Sequence, residues 1–188
     1  WSDVRPDWPD EKIYLVGADT DSGTFDYFTD AIMGEEGASR PDYVASADDN
    51  YLVQAIADEK YSLGYFGFSY YIENKAKLKL VAIDPGDGLP IIPSAATIND
   101  GSYIPLSRPL FIYVNLSSLD EKPQVQEFVR YFLSDEGAPL IGEVGYVALP
   151  EEVYSLVRQR TEERIIGSIF TGGVDTSLTL EEILNPEK

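Results

Sequence analysis

The sequence predicts an α/β protein built on a largely parallel or mixed sheet. Strand-like apolar runs alternate along the chain with segments of helical spacing. Glycine and proline punctuate the junctions between them. Hydrophobic residues fill 44% of the 188 positions, enough for a sizeable core in one large domain or two small ones.

Taken in order, EKIYLVGAD (11–19) reads as a buried strand ending in a glycine turn. SGTFDYFTDAIMG (22–34) reads as a helix, with Phe25, Phe28, Ile32 and Tyr27 as its apolar positions and Gly34 as a C-terminal cap. Residues 35–46 look like a loop. ADDNYLVQAIADE (47–59) is a second helix, capped by Asp48 or Asp49, with Leu52, Val53 and Ile56 facing inward. SLGYFGFSYY (62–71) begins as a strand, and KLKLVAID (77–84) reads as a third. A turn-rich loop (85–94) leads to a short helix at AATIN, stopped by Gly101. LSRPLFIYVN (106–115) has the composition of a strand, but Pro109 assigns it to an edge, bulge or hinge. KPQVQEFVRYFLSDEG (122–137) is an amphipathic helix with Pro123 early and Gly137 late. Another helix is expected at 151–165, and the tail 171–188 has a glycine turn and a short amphipathic piece.

Composition removes several function classes. The chain holds 33 acidic and 14 basic residues, a formal net charge of −19. That opposes nucleic-acid binding, which needs clustered Lys and Arg, and it opposes attachment to an anionic membrane surface. With no cysteine there are no disulfides, thiolate metal sites or cysteine nucleophiles. With no histidine there is no Ser-His-Asp triad, no HExxH zinc site and no histidine pH switch. No apolar run approaches the roughly 20 residues that span a bilayer. The opening WSDVRPDWPD has neither an initiator Met nor a signal peptide's apolar core, and it reads as the interior of a longer chain.

The chemistry gathers at Ser22-Gly23-Thr24. A helix start leaves about four backbone N–H groups without intrahelical partners, and the macrodipole adds roughly half a positive charge there. Glycine admits a ligand to the backbone, while serine and threonine add hydroxyl donors. Together they can hold a tetrahedral oxyanion without a cation. The plainer reading of the tripeptide is ordinary helix capping. Asp19, Asp21 and Asp26 crowd the turn. They compensate the dipole, or they select a protonated oxyanion by accepting its hydrogen. Arg108 is the cation in the hinge-like segment, suited to a structural ion pair, an anion or a closure contact. The aromatic run GYFGFSYY reads as packing, and Glu151-Glu152 and Glu162-Glu163 as solvated helix faces.

DSGTFDYF, SADDNYLVQAI, LGYFGFSYYIENKAKLKLVAID, DGSYIPLSRPLFIYVN and EVGYVALPEEVYSLVR occur in that order. Together they resemble the phosphate-binding proteins of bacterial phosphate ABC importers (PstS-type), especially a cyanobacterial-like branch. The resemblance spans nearly the whole chain. It implies a type II periplasmic-binding fold: two α/β lobes joined by crossover hinge strands, with the ligand in the cleft. Residues 1–106 would form the second lobe with the anion turn, preceded by a crossover. Residues 107–188 would return to the first lobe and add C-terminal helices and a tail. The N-terminal part of the first lobe would be missing, leaving this chain about half a site.

The resemblance also implies a non-enzymatic solute-binding component, with no cofactor or metal. It would bind inorganic phosphate through Ser22, Gly23 and Thr24, with Asp21 and Arg108 as further candidates. Its partners would be the permease subunits and the missing N-terminal lobe. It would lie in the periplasm or outside the cell, anchored if at all by a segment not present here. Many relatives carry an arginine four residues before the serine of this motif; here that position is Ala18. Alternatives are a binding protein for another oxyanion, a phosphate-related extracellular enzyme, and an interaction module reusing the fold.

Overall fold

Strand β1 (Tyr14–Ala18) is flanked on both sides by parallel neighbours, β2 (Val44–Ser46) and β3 (Ser62–Gly64), in the sheet order β2-β1-β3. Register pairs Val16 with Val44 on one side and with Gly64 on the other. The central position suits an apolar run: Val16 and Ala18 are each 2% exposed. The computed structural model describes residues 1–168 and Leu184. They divide into two compact units, Trp1–Val81 and Ala82–Lys188.

In the first unit, helix α1 (Gly23–Met33) follows β1. Ser22 caps its start, and Gly34 closes its end at φ 74°, where its N–H donates to the Asp30 carbonyl. That left-handed geometry favours glycine. Phe25 and Thr29 are buried, whereas Ile32 is 49% exposed. The inward stripe therefore follows an i, i+4 spacing rather than running on to Ile32. Thr29 Oγ1 donates to the Phe25 carbonyl (2.9 Å) and accepts from the Gly37 N–H (2.8 Å), tying α1 to the following loop. Strand β2 emerges inside the stretch read as loop, and three residues are too few to show alternation. Helix α2 (Asp49–Asp58) is capped by Asp48, whose carboxylate accepts from the Asn50 N–H. Leu52 and Val53 are buried, and Ile56 is half-buried beside Gly64. After β3 the aromatic segment turns into helix α3 (Phe68–Asn74).

The described elements of the second unit are helices: α4 (Ala95–Asn99), α5 (Leu116–Glu121), α6 (Pro123–Phe132), α7 (Ala138–Glu143) and α8 (Glu151–Glu162). A capping box between Ser94 and Thr97 starts α4. Leu119, Val129, Leu133 and Tyr154 form the core of this unit, with Val125, Phe132 and Val157 packed against them. Arg158 fastens α8 to α6: its Nη1 donates to the Leu133 carbonyl (2.9 Å), while its Nη2 meets Glu151.

Four expectations need correction or fall outside the description. Residues 77–84 form no strand, although half-buried Leu78 and Leu80 alternate with exposed Lys77, Lys79 and Val81. Only an antiparallel bridge between Ile83 and Ile91 forms there. Residues 106–115 are likewise irregular, and Leu110 and Tyr113 are 65% and 93% exposed. A strand needs a ladder as well as a pattern, and the described strands all belong to the sheet of the first unit. Helix α6 ends at Phe132, earlier than expected, and α7 begins after Gly137. The tail reading for 171–188 lies, Leu184 apart, outside the described residues.

Candidate functional site

The carboxyl end of β1 runs directly into the N-terminus of α1. From β1 the chain crosses to β2 on one side and then to β3 on the other. This reversal is a topological switch point, the place where open parallel sheets receive ligands. Asp21, Ser22, Gly23 and Thr24 are brought together there.

The turn is built by short-range hydrogen bonds. The Asp19 carbonyl accepts from the Ser22 N–H (3.1 Å), and its carboxylate Oδ1 accepts from the Asp21 N–H (3.1 Å). The Asp19 N–H donates to the Ser46 carbonyl (3.3 Å), anchoring the turn to β2. Ser22 has an extended backbone (φ −101°, ψ 125°), and its Oγ accepts from the Thr24 N–H at 3.2 Å. A hydroxyl that accepts one bond still has its own O–H to donate. Capping and anion binding are therefore compatible roles for Ser22. Gly23 is exposed and has no Cβ to keep a ligand off the backbone.

Ala18, buried at 2% exposure, offers only a methyl group and a carbonyl. The Tyr43 hydroxyl donates to that carbonyl at 3.0 Å, and the Tyr65 hydroxyl approaches it at 3.5 Å. The Tyr65 ring stacks on Phe28 of α1 (3.8 Å between centroids, 5° between planes). Its other neighbour is Gly17, where an added Cβ would lie 2.4 Å from the Tyr65 Cε1. Burial, with a smaller contribution from Tyr43, raises the Tyr65 phenol above its ordinary range. The sequence reading placed Tyr65 only within a packing run and did not single out Tyr43. The signal for Tyr65 was its place beside Gly64, just after a strand; Tyr43 lay within the segment read as loop.

Carboxylates share this edge of the sheet. Asp19 and Asp26 are half-buried and Asp21 is exposed. Burial raises the Asp49 carboxyl, the Gly67 backbone opposes that shift by hydrogen bonding, and Asp48 adds to it. Arg108 lies in the second unit, exposed and within irregular chain. Among the described residues no group of three or more acidic side chains is arranged to hold a metal ion. A hollow of about 430 Å³ lies at the opposite, amino edge of the sheet, lined by Tyr14, Tyr43, Tyr61 and Glu59. Helix starts and strand carboxyl ends lie away from that edge, so it lacks the backbone donors of the Ser22 turn.

A sequence-family profile described as the PBP superfamily domain matches residues 1–136. The chain belongs to the PBP superfamily. Protein SphX of Synechocystis sp. (strain ATCC 27184 / PCC 6803 / Kazusa) is 46% identical over 187 residues, covering 100% of this chain and 55% of that protein. Phosphate-binding protein PstS of Staphylococcus aureus (strain USA300) is 41% identical over 154 residues, covering 82% of this chain and 46% of that protein. The crystal structure of a possible phosphate binding protein from Planctomyces limnophilus aligns with a TM-score of 0.69 at 46% identity, over 88% of this chain and 58% of that one. PstS from Borrelia burgdorferi aligns at a TM-score of 0.55 and 23% identity, over 76% of this chain and 55% of that one, a likeness of fold alone. This PBP-superfamily chain spans about half the length of the curated relatives it matches. The expected periplasmic-binding-type α/β fold is borne out. Among the described residues no helix is long and apolar enough to cross a membrane.

Proposed function

We propose that this chain is part of the solute-binding component of a phosphate ABC importer. It binds inorganic phosphate non-covalently and catalyses no reaction. One observation carries the reading: Ser22-Gly23-Thr24 opens a helix at the switch point of a PBP-superfamily sheet. The names of the relatives support phosphate as the anion. Ser22 and Thr24 supply hydroxyl donors, and Gly23 supplies a backbone donor without steric cover. Asp21, beside Ser22, is a further candidate contact. Arg108 is another candidate contact. The turn belongs to a lobe comprising 1–106, and 107–188 returns to the other lobe.

The chain carries about half of the site. The portion of the relatives that it does not span supplies the remaining contacts. The complete protein works in the periplasm or outside the cell and delivers phosphate to permease subunits. The test is calorimetry on this chain completed with the remaining residues of Synechocystis SphX. Phosphate should give saturable heat and sulfate none. Heat with sulfate or molybdate and none with phosphate would overturn the ligand assignment.

A further inference from the structure

Tyr65 meets the anion turn from two directions. Its ring fills the space left by the missing side chain of Gly17, at the end of β1 that leads into the turn. The same ring stacks on Phe28, one helical turn beyond Thr24. The hydroxyl reaches toward the Ala18 carbonyl, which Tyr43 also bonds. The strand entering the turn and the helix leaving it are thus fixed against one rigid ring, which itself projects from the chain just after β3. The Tyr65 N–H, which donates to the Val16 carbonyl at 3.3 Å, fixes the base of that side chain to β1.

We propose that Tyr65, clamped between Gly17 and Phe28, is a positioning residue that sets the Ser22–Thr24 donors for the anion. This rests on the phosphate reading above. An anion held by neutral donors depends on their directions, because misaligned hydrogen bonds weaken steeply. Ala18, at the end of the strand leading into the turn, brings no charge to it, so alignment must do more of the work. The ring contacts dominate, since the hydroxyl contact at 3.5 Å is long.

The test uses the completed protein and phosphate itself, with three variants. Tyr65→Phe keeps the ring and should bind within about twofold of the parent. Tyr65→Leu and Phe28→Leu each remove the stack and should weaken phosphate binding roughly tenfold. The double variant should be little worse than either single one, because both disrupt one contact. Phe28→Leu alters only a half-buried helix position and gives a readout should Tyr65→Leu fail to fold. Amide hydrogen exchange at Gly23 to Phe25, measured without phosphate, should quicken in both leucine variants and stay at the parent rate in Tyr65→Phe. A folded leucine variant with parent affinity and parent exchange rates would overturn the positioning role. Quickened exchange in the leucine variants, with a parent protein that binds no phosphate, would overturn the phosphate reading and leave the clamp standing.

Discussion

Ser22 has two separable duties at the start of α1, and substitution can divide them. Its Oγ caps the helix by accepting from Thr24, and its O–H is the proposed anion donor. Ser22→Ala loses both, costing about 1 kcal/mol of stability as a cap. Ser22→Gly costs only a few tenths as a cap. In the completed protein Ser22→Gly should therefore keep its melting temperature while phosphate binding weakens by about 1–3 kcal/mol. Parent affinity in Ser22→Gly would remove the hydroxyl from the site. Thr24→Val should weaken binding by a similar amount in calorimetry. Thr29 has a purely structural duty. Replacing it with valine leaves the Gly37 N–H without its acceptor, and urea unfolding should show a loss of about 1–3 kcal/mol with phosphate contacts untouched.

Among the elements of the first unit, α2 packs closely on β3 through Ile56 and Gly64. Leu52 is fully buried, and Leu52→Ala should cost about 2–5 kcal/mol in chemical denaturation. At Gly64 an added Cβ would lie 2.5 Å from the Val16 carbonyl oxygen and from the Ile56 Cδ1. The backbone carbonyl cannot yield as a side chain can, so Gly64→Ala should destabilise by about 1–3 kcal/mol in the same assay. These elements were legible because their signals are local. Asp48 before an apolar stripe marks α2, and Ser22 and Gly34 bracket α1. The strands expected at 77–84 and 106–115 were not legible as what they are. Alternation in Leu78 and Leu80 and the apolar run Leu110–Val114 report what a strand would bury, not whether a neighbouring strand pairs with it. Helices α5 and α7 are six residues each, too short to display a period.

Over the whole molecule, an acidic protein with the proposed anion turn presents no contradiction once distances are considered. Exposed carboxylates are screened over about 8 Å at physiological salt. Backbone N–H and hydroxyl donors act at contact distance. The helix start was legible at Ser22-Gly23-Thr24, because helix-start chemistry is written in adjacent residues. Tyr43 and Tyr65 were not, because their role depends on side chains that meet Ala18, Gly17 and Phe28 across the sheet. The net charge of −19 predicts faster phosphate association as salt rises, since screening relieves repulsion during approach; stopped-flow rates of the completed protein at low and high ionic strength check this. The most direct test of the central claim is the amide resonances of Gly23 and Thr24 in the completed protein during titration with phosphate. The expected result is a saturable shift at both, in step with the calorimetric binding curve and absent with sulfate. Saturable phosphate binding that leaves both resonances in place would contradict it.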